Sequence, residues 1–309
     1  MKDDNVIKVI QKAEEYGCEV LKDEPLRNHT TFKIGGPCKA FISVNSSESL
    51  KELIKTADEE KYPYFILGRG SNLLFDDRGF NGIVFHLGSD FSNIELIDET
   101  TIQADAGCSL MNVCRFAYEN GLGGLEFAFG IPGSVGGAVY MNAGAYGGEI
   151  KDVLASAKAF DKQRIKEFNT KEMDLSYRHS IFQENGFVIT KAVFKLVKKD
   201  KEEIRALMDD YLSRRKEKQP LEFANGGSTF KRPEGQFAGK LIQDSGLRGY
   251  SVGDAQVSQK HCGFVINKGN ATYKDVTELI KKVQEIVKEK TGFFLQCEVE
   301  TVKYNEEIK

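Results

Sequence analysis

Apolar positions along the chain change period several times, and each change marks an element. Residues 39–44 (KAFISV) read as a strand. Ser46 or Ser47 can then cap a helix whose apolar stripe is Leu50, Leu53, Ile54 and Ala57, the spacing of one helical face. Residues 64–67 (YFIL) form a short buried strand that runs straight into GRGSN, and 83–87 form another. The first ninety residues thus make a small βαβ-like unit. Residues 94–97 and 101–105 look like paired strands. Ser109 is placed to cap a helix that turns Leu110, Val113, Phe116 and Ala117 inward and closes at Asn120-Gly121. Strands resume at 154–160, 165–168 and 187–197. A charged helix over 202–218 ends before Pro220, where composition changes and a domain boundary is expected. Further on, a cap at Thr272 and Asp275 opens a helix with Val276, Leu279, Ile280, Val283, Ile286 and Val287 inward. A last strand is predicted over 293–302, with Gln296, Glu298 and Glu300 on one face and Leu295, Cys297 and Val299 on the other.

Composition narrows the class. The 309 residues suggest about two to three domains. With 43 basic and 46 acidic residues the net charge is −3, which argues against a broad nucleic-acid surface. No apolar run approaches the roughly 20 residues needed to cross a bilayer, and the first ten lack a signal-peptide core. Cys18, Cys38, Cys108, Cys114, Cys262 and Cys297 form no Cys-x-x-Cys pair, so they read as reduced thiols of a cytoplasmic protein. His29, His86, His179 and His261 have no zinc-binding spacing, and no metal site is expected.

The 30 glycines are clustered, and clusters mark places of special backbone geometry. One is Gly68-Arg69-Gly70-Ser71-Asn72, directly after a strand. Its amides can converge on an anion, or it is an ordinary turn. It is not the dinucleotide fingerprint G-x-G-x-x-G, because Leu73 replaces the third glycine. The second runs from Gly130 to Gly148, and its many small residues let backbone approach a flat or charged ligand. Two such cradles fit a dinucleotide with its pyrophosphate between them. Arg178, in SYRHS, has the fork geometry for a carboxylate or oxyanion. Ser228 follows Gly226-Gly227 on a tight turn beside Lys231 and Arg232. By pattern alone it caps a turn, and Glu298 faces solvent.

The order of these motifs resembles the UDP-N-acetylenolpyruvoylglucosamine reductases, flavoenzymes of bacterial peptidoglycan synthesis. The matching stretches are NHTTFKIGG (28–36), ILGRGSNLLF (66–75), GLEFAFGIPGSVGGAVYMNAGAYGGEI (124–150), SYRHSIF (176–182), NGGSTFKRPEGQFAGKLIQDSGLRG (225–249) and KHCGFVIN (260–267). The resemblance implies an α+β fold. A FAD-binding module of the vanillyl-alcohol-oxidase (PCMH) type would occupy two subdomains, 1–88 and 89–218. A C-terminal α+β substrate domain would span 219–300, with 301–309 returning to the first subdomain. There is no room between Val188 and Lys218 for the inserted loop that carries a clamping tyrosine in the longer form of the family, so this looks like the shorter form.

The resemblance also implies chemistry. FAD would be held non-covalently, with Gly68, Arg69, Gly70, Ser71 and Asn72 at the pyrophosphate. Ile131, Pro132, Gly133, Ser134, Gly136, Gly137, Asn142, Ala143, Gly144 and Gly147 would line the rest. NADPH would reduce the flavin and leave. UDP-N-acetylglucosamine enolpyruvate would then take a hydride at its vinyl C3 and become UDP-N-acetylmuramate, a precursor for cell-wall biogenesis, cell shape, division and the cell cycle. Arg178 and Glu298 match the groups that stabilise the enolate, and Glu298 would need a raised pKa to donate a hydrogen bond. Ser228 matches the proton donor to C2, helped by Lys218, Lys231 or Arg232. Arg215 and Lys218 match the pair on the substrate diphosphate, and Tyr177 and Arg232 complete the substrate set. Arg232 stands where the longer form has Asn. The expected partner is a small molecule, with no nucleic acid and no membrane, and the protein is expected to be a monomer. The alternatives are an FAD oxidase of the same fold or a non-catalytic flavin-binding protein.

Overall fold

The computed structural model describes residues 2–306. Met1 and 307–309, which the predicted first subdomain and returning tail include, lie outside the described residues. The first sheet has the order Glu19–Lys22, Cys38–Val44, Phe80–Leu87, Tyr64–Leu67. Its inner strands run parallel, with Ile42 opposite Phe85, and the Glu19–Lys22 edge is antiparallel. Both inner strands are buried nearly throughout, as a parallel pair covered on its faces requires. Helix Ser47–Glu59 begins in a capping box, in which Ser46 Oγ accepts from Ser49 N and Ser49 returns the bond. It buries Leu50, Leu53, Ile54 and Ala57. Beside it lies helix Lys2–Glu15, absent from the sequence reading because its apolar face, Val9, Ile10 and Ala13, is narrow among charges. Asn5 Nδ2 donates to Glu60 O at 3.0 Å and ties the two helices together.

The second sheet is antiparallel, in the order Ile165–Asn169, Leu154–Phe160, Val188–Lys195, Thr101–Asp105, Ile94–Asp98. Helix Leu110–Glu119 packs nearby, but Ser109 makes no side-chain cap bond. The end is satisfied differently: Leu110 N donates to Gly133 O at 3.0 Å. The glycine-rich segment thus replaces the expected cap. The first and second sheets share one apolar cluster, which includes Ile42, Leu53 and Phe85 from one side and Ile102, Phe160 and Phe194 from the other.

The third region holds a small antiparallel sheet, Ala224–Asn225, Val265–Asn267, Ala255–Val257, Ser251–Val252, with helices Ala238–Asp244 and Tyr273–Thr291. Thr272 and Asp275 form the capping box of the longer helix. Phe32, Ile34 and Leu74 from the first region join its core. The long strand expected over 293–302 shortens to Glu300–Val302. Before it, Cys297 makes only an isolated bridge to Phe230, because Leu295 and Val299 are drawn into the third core. Glu300–Val302 then pairs in parallel with Leu73–Phe75 of the first region. Asn305 continues that attachment, accepting from Asn81 N and donating to Asn81 O, both at 2.9 Å.

Candidate active site

The three regions meet around a cleft of about 1020 Å³. That is at the upper end of the range for sites that enclose organic ligands. GRGSN forms one wall, between strands Tyr64–Leu67 and Leu73–Phe75. Gly70 has φ +60°, and a Cβ there would collide with the carbonyl oxygen of His29. Thr31 N donates to Gly70 O at 3.1 Å and holds the two segments together. A Cβ on Gly68 would collide with Ser134 Oγ, so the two glycine-rich segments touch. Ser134 Oγ is already committed as a cap, accepting from Gly137 N at 3.2 Å. Gly136 N donates to Ala106 O at 2.8 Å, which sets the second segment against the second sheet. Gly68 to Asn72, Ile131 to Ser134, Gly136, Gly137, Ala143 and Gly144 all line the cleft.

Asn142 and Gly147 do not. Asn142 is fully buried, donates to Ser176 O at 2.8 Å and Glu149 Oε2 at 3.1 Å, and accepts from Lys151 N. It is a buried brace under the Arg178 turn rather than part of the cleft lining. Gly147, at φ +90°, turns the exposed hairpin between Gly144–Ala145 and Gly148–Glu149.

Arg178 sits at the tip of a turn closed by mutual backbone bonds between Ser176 and His179. Its φ of +57° aims the side chain into the cleft. Nη2 donates to Gly144 O at 3.1 Å and Nε donates to Glu298 Oε1 at 2.5 Å. Glu298 is nearly buried, with 11% of its side chain exposed. Burial pushes its carboxyl above the ordinary value, while Arg178, Lys231 and Arg232 pull the other way. Glu300 also lines the cleft and is raised by burial, with Lys231 opposing. Ser228 stands exposed on the same wall, after Gly227 at φ +81°. Its turn is set by Asn225 Oδ1, which accepts from Gly227 N at 2.9 Å.

The predicted substrate set divides. Arg215 lines the cleft, and burial lowers its pKa. Among the described residues no carboxylate lies within salt-bridge range of Arg215, so a half-buried cation faces the cleft without a counter-charge. Lys218, three residues on, is exposed and outside the lining. Tyr177 and Arg232 are also outside it. Tyr177 Oη accepts from Arg232 N at 3.2 Å, and its ring lies 5.2 Å from the Arg178 guanidinium, so it braces both. The Arg232 guanidinium lies over Phe237.

Two lining residues escaped the sequence reading. Thr31 Oγ1 and Gln219 Oε1 are buried polar atoms without a hydrogen-bond partner. Orphaned polar atoms on a cleft wall fit a polar ligand. Thr31 lies inside NHTTFKIGG, which the resemblance matched without assigning a role, and Gln219 falls between the predicted helix end at 218 and Pro220, where no motif lies. No group of three or more His, Cys, Asp or Glu among the described residues could hold a metal ion. Two touching cradles that side chains would fill, small-residue walls and orphaned polar atoms together fit an elongated dinucleotide.

Comparison with known proteins agrees. A family model described as "FAD binding domain" matches residues 38–163, and one described as "UDP-N-acetylenolpyruvoylglucosamine reductase, C-terminal domain" matches 219–302. The UDP-N-acetylenolpyruvoylglucosamine reductase of Agathobacter rectalis is 50% identical over 295 residues, covering 92% of this chain and 94% of its own. That of Clostridium novyi is 49% identical, covering 92% of each. The crystal structure of the reductase from Thermus caldophilus superposes with a TM-score of 0.78 at 36% identity, over 92% of this chain and 98% of its own. With a FAD-binding fold of mixed α and β structure, two matching domain models and relatives of near-half identity along nearly all its length, the chain belongs to the UDP-N-acetylenolpyruvoylglucosamine reductases.

Proposed function

We propose that the protein reduces the enolpyruvyl group of UDP-N-acetylglucosamine enolpyruvate to UDP-N-acetylmuramate, with NADPH as reductant, in the cytoplasm. The observation that carries this reading is the Arg178–Glu298 pair, 2.5 Å apart and facing the same cleft as Ser228. When bound, FAD supplies hydride transfer between NADPH and the vinyl carbon. Gly68 to Ser71 and the 131–137 segment would hold it, their small residues letting backbone approach the cofactor.

The chain's own task is the charge that develops on the carbon bearing the carboxylate. Arg178 meets that charge with a guanidinium already oriented by Gly144 O, so little reorganisation is needed as the charge grows. The substrate carboxylate competes with Glu298 for Arg178. As Glu298 yields that cation to the substrate, burial raises its carboxyl further, the direction that favours its protonated form. In that form it would donate a hydrogen bond to the enolate instead of repelling it. Ser228 delivers the proton to the carbon. Lys231 is the cation beside the carboxylates of this wall, and it replaces the exposed Lys218 as the group that eases proton loss from Ser228. Arg215, a half-buried cation without a counter-charge, receives the diphosphate. The protein works on a small molecule and as a monomer.

Anaerobic stopped-flow spectroscopy tests the reading. NADPH should bleach the flavin, and the enolpyruvyl sugar nucleotide should restore the oxidised bands at once. Ser228→Ala should bleach normally and recover at least about 100-fold more slowly. Bands that recover only when oxygen enters would instead identify an oxidase. Equal losses in both halves would remove Ser228 from the proton step.

A further inference from the structure

Glu298 belongs to the third region, yet its backbone is held from two other places. Its N donates to Thr229 O at 2.8 Å, next to Ser228. Its O accepts from Asn72 Nδ2 at 3.0 Å. Asn72 also accepts, through its own carbonyl, from Glu300 N at 2.9 Å. Asn72 therefore grips the chain on both sides of Val299. It is the last residue of GRGSN, and its amide otherwise reaches only Met141 Sδ, at 3.9 Å. The resemblance assigns Asn72 to the cofactor. Its side-chain donor is spent on Glu298.

We infer that Asn72 is a positioning residue that fixes Glu298 from the cofactor loop, so that order in that loop sets the place of the enolate-stabilising carboxyl. The inference rests on the proposed role of Glu298 and extends it. The mechanical path is short. Strand Tyr64–Leu67 feeds the loop, Asn72 ends it, and two hydrogen bonds carry its position to the 298–300 segment. Thr229 extends the same path to the Ser228 turn. Its N donates to Gly263 O at 2.8 Å and its Oγ1 accepts from Val265 N at 2.9 Å, so it is itself rigid. A ligand that orders GRGSN thereby orders both groups the reaction needs, although neither need touch that ligand.

Asn72→Asp tests this, because it keeps the shape and the backbone bond to Glu300 but turns the donor into an acceptor facing Glu298 O. In the FAD-loaded enzyme, FAD affinity and the rate of bleaching by NADPH should change by less than about threefold, while recovery with substrate slows about tenfold or more. In a Glu298→Gln background the same substitution should add less than about threefold, since it acts through Glu298. Equal slowing of both halves, or a full tenfold effect that persists in the Glu298→Gln background, would overturn the inference and leave Asn72 as a cofactor contact. Amide hydrogen exchange supplies a readout that does not need turnover. Adding FAD to the apoprotein should protect the amides of 298–300 in the wild type and protect them far less in Asn72→Asp. Equal protection in both would also overturn it. If the wild type fails to recover with substrate, the proposed function falls, and the exchange result still decides the role of Asn72.

Discussion

Replacing Gly70 with alanine should show how much of the cofactor loop depends on one close approach. The residue has φ +60°, and its Cβ would collide with His29 O while lying 3.0 Å from Thr30 Cα. The left-handed conformation alone costs an L-residue about 1–2 kcal/mol. The collision is with backbone and cannot be relieved by a rotamer change, so the Thr31 N to Gly70 O bond must stretch as well. Losing that bond and shifting the loop adds about 1–3 kcal/mol, for a total near 3 kcal/mol. Gly17 provides a matched control. It has φ +67° and nothing within 4 Å of a Cβ. Gly17→Ala should therefore cost about 1 kcal/mol, from conformation alone. At roughly 2 °C per kcal/mol for a chain of this size, the apoprotein's Tm should fall by about 6 °C for Gly70→Ala and about 2 °C for Gly17→Ala. Calorimetry of the apoproteins measures this, and titration of flavin fluorescence measures FAD affinity. Gly70→Ala should bind FAD at least about tenfold more weakly, a 1.4 kcal/mol effect, and Gly17→Ala as the wild type does. Equal Tm losses in the two variants, or unaltered FAD affinity in Gly70→Ala, would refute the close-approach argument.

Arg178→Lys should be nearly as harmful to substrate-driven reoxidation as Arg178→Ala, because Lys cannot hold Gly144 O and Glu298 together; full activity in the Lys variant would exclude the fork contact. Glu300 carries a raised carboxyl, which binds its proton more tightly in the folded state than in the unfolded one. Its contribution therefore favours folding at acidic pH and is lost as pH rises through the folded value. Glu300→Gln should accordingly gain Tm over the wild type progressively from acid toward neutral pH, and a constant or shrinking difference would reject the assignment. Asn305→Ala loses two bonds to Asn81 and should cost about 1–3 kcal/mol, read as a fall in Tm; an unchanged Tm would mean that the attachment beyond Val302 adds nothing.

Local rules carried the elements well. The stripe Leu50, Leu53, Ile54, Ala57 and the Thr272/Asp275 box each describe a real helix because cap and periodicity are local properties. The helix Lys2–Glu15 was missed because only a narrow face is buried and the rest reads as a solvated charge run. The 293–302 strand was over-extended because alternation reports which residues face inward, not whether a neighbouring strand is there to pair, and Leu295 and Val299 both turn into the third core instead. The site was legible as chemistry but not as geometry. Nothing in SYRHS or LQCEVE states that Arg178 and Glu298, 120 residues apart, share a proton-length contact. Nor does helix position tell Arg215 from Lys218: the residues are three apart, yet one is half-buried on the cleft wall and the other exposed outside it. Such distinctions depend on which face of an element meets a neighbour, and that is decided by the whole fold.

The parallel pairing of Glu300–Val302 with Leu73–Phe75 has a consequence in time. Asn72 and Glu298 are separated by 226 residues. During synthesis at about 5–20 residues per second, the glycine loop waits more than ten seconds for the segment that completes it. For that interval Leu73–Phe75 lacks its partner strand, and Leu74, destined for the third core, has Phe32 and Ile34 of that core already made but not Leu295 or Val299. A nascent chain can form the first two sheets and their shared apolar cluster from sequence already made. It cannot finish the cleft. Both glycine-rich cradles are therefore made well before the acidic wall that faces them, and the last residues to arrive complete a cleft whose other walls already stand.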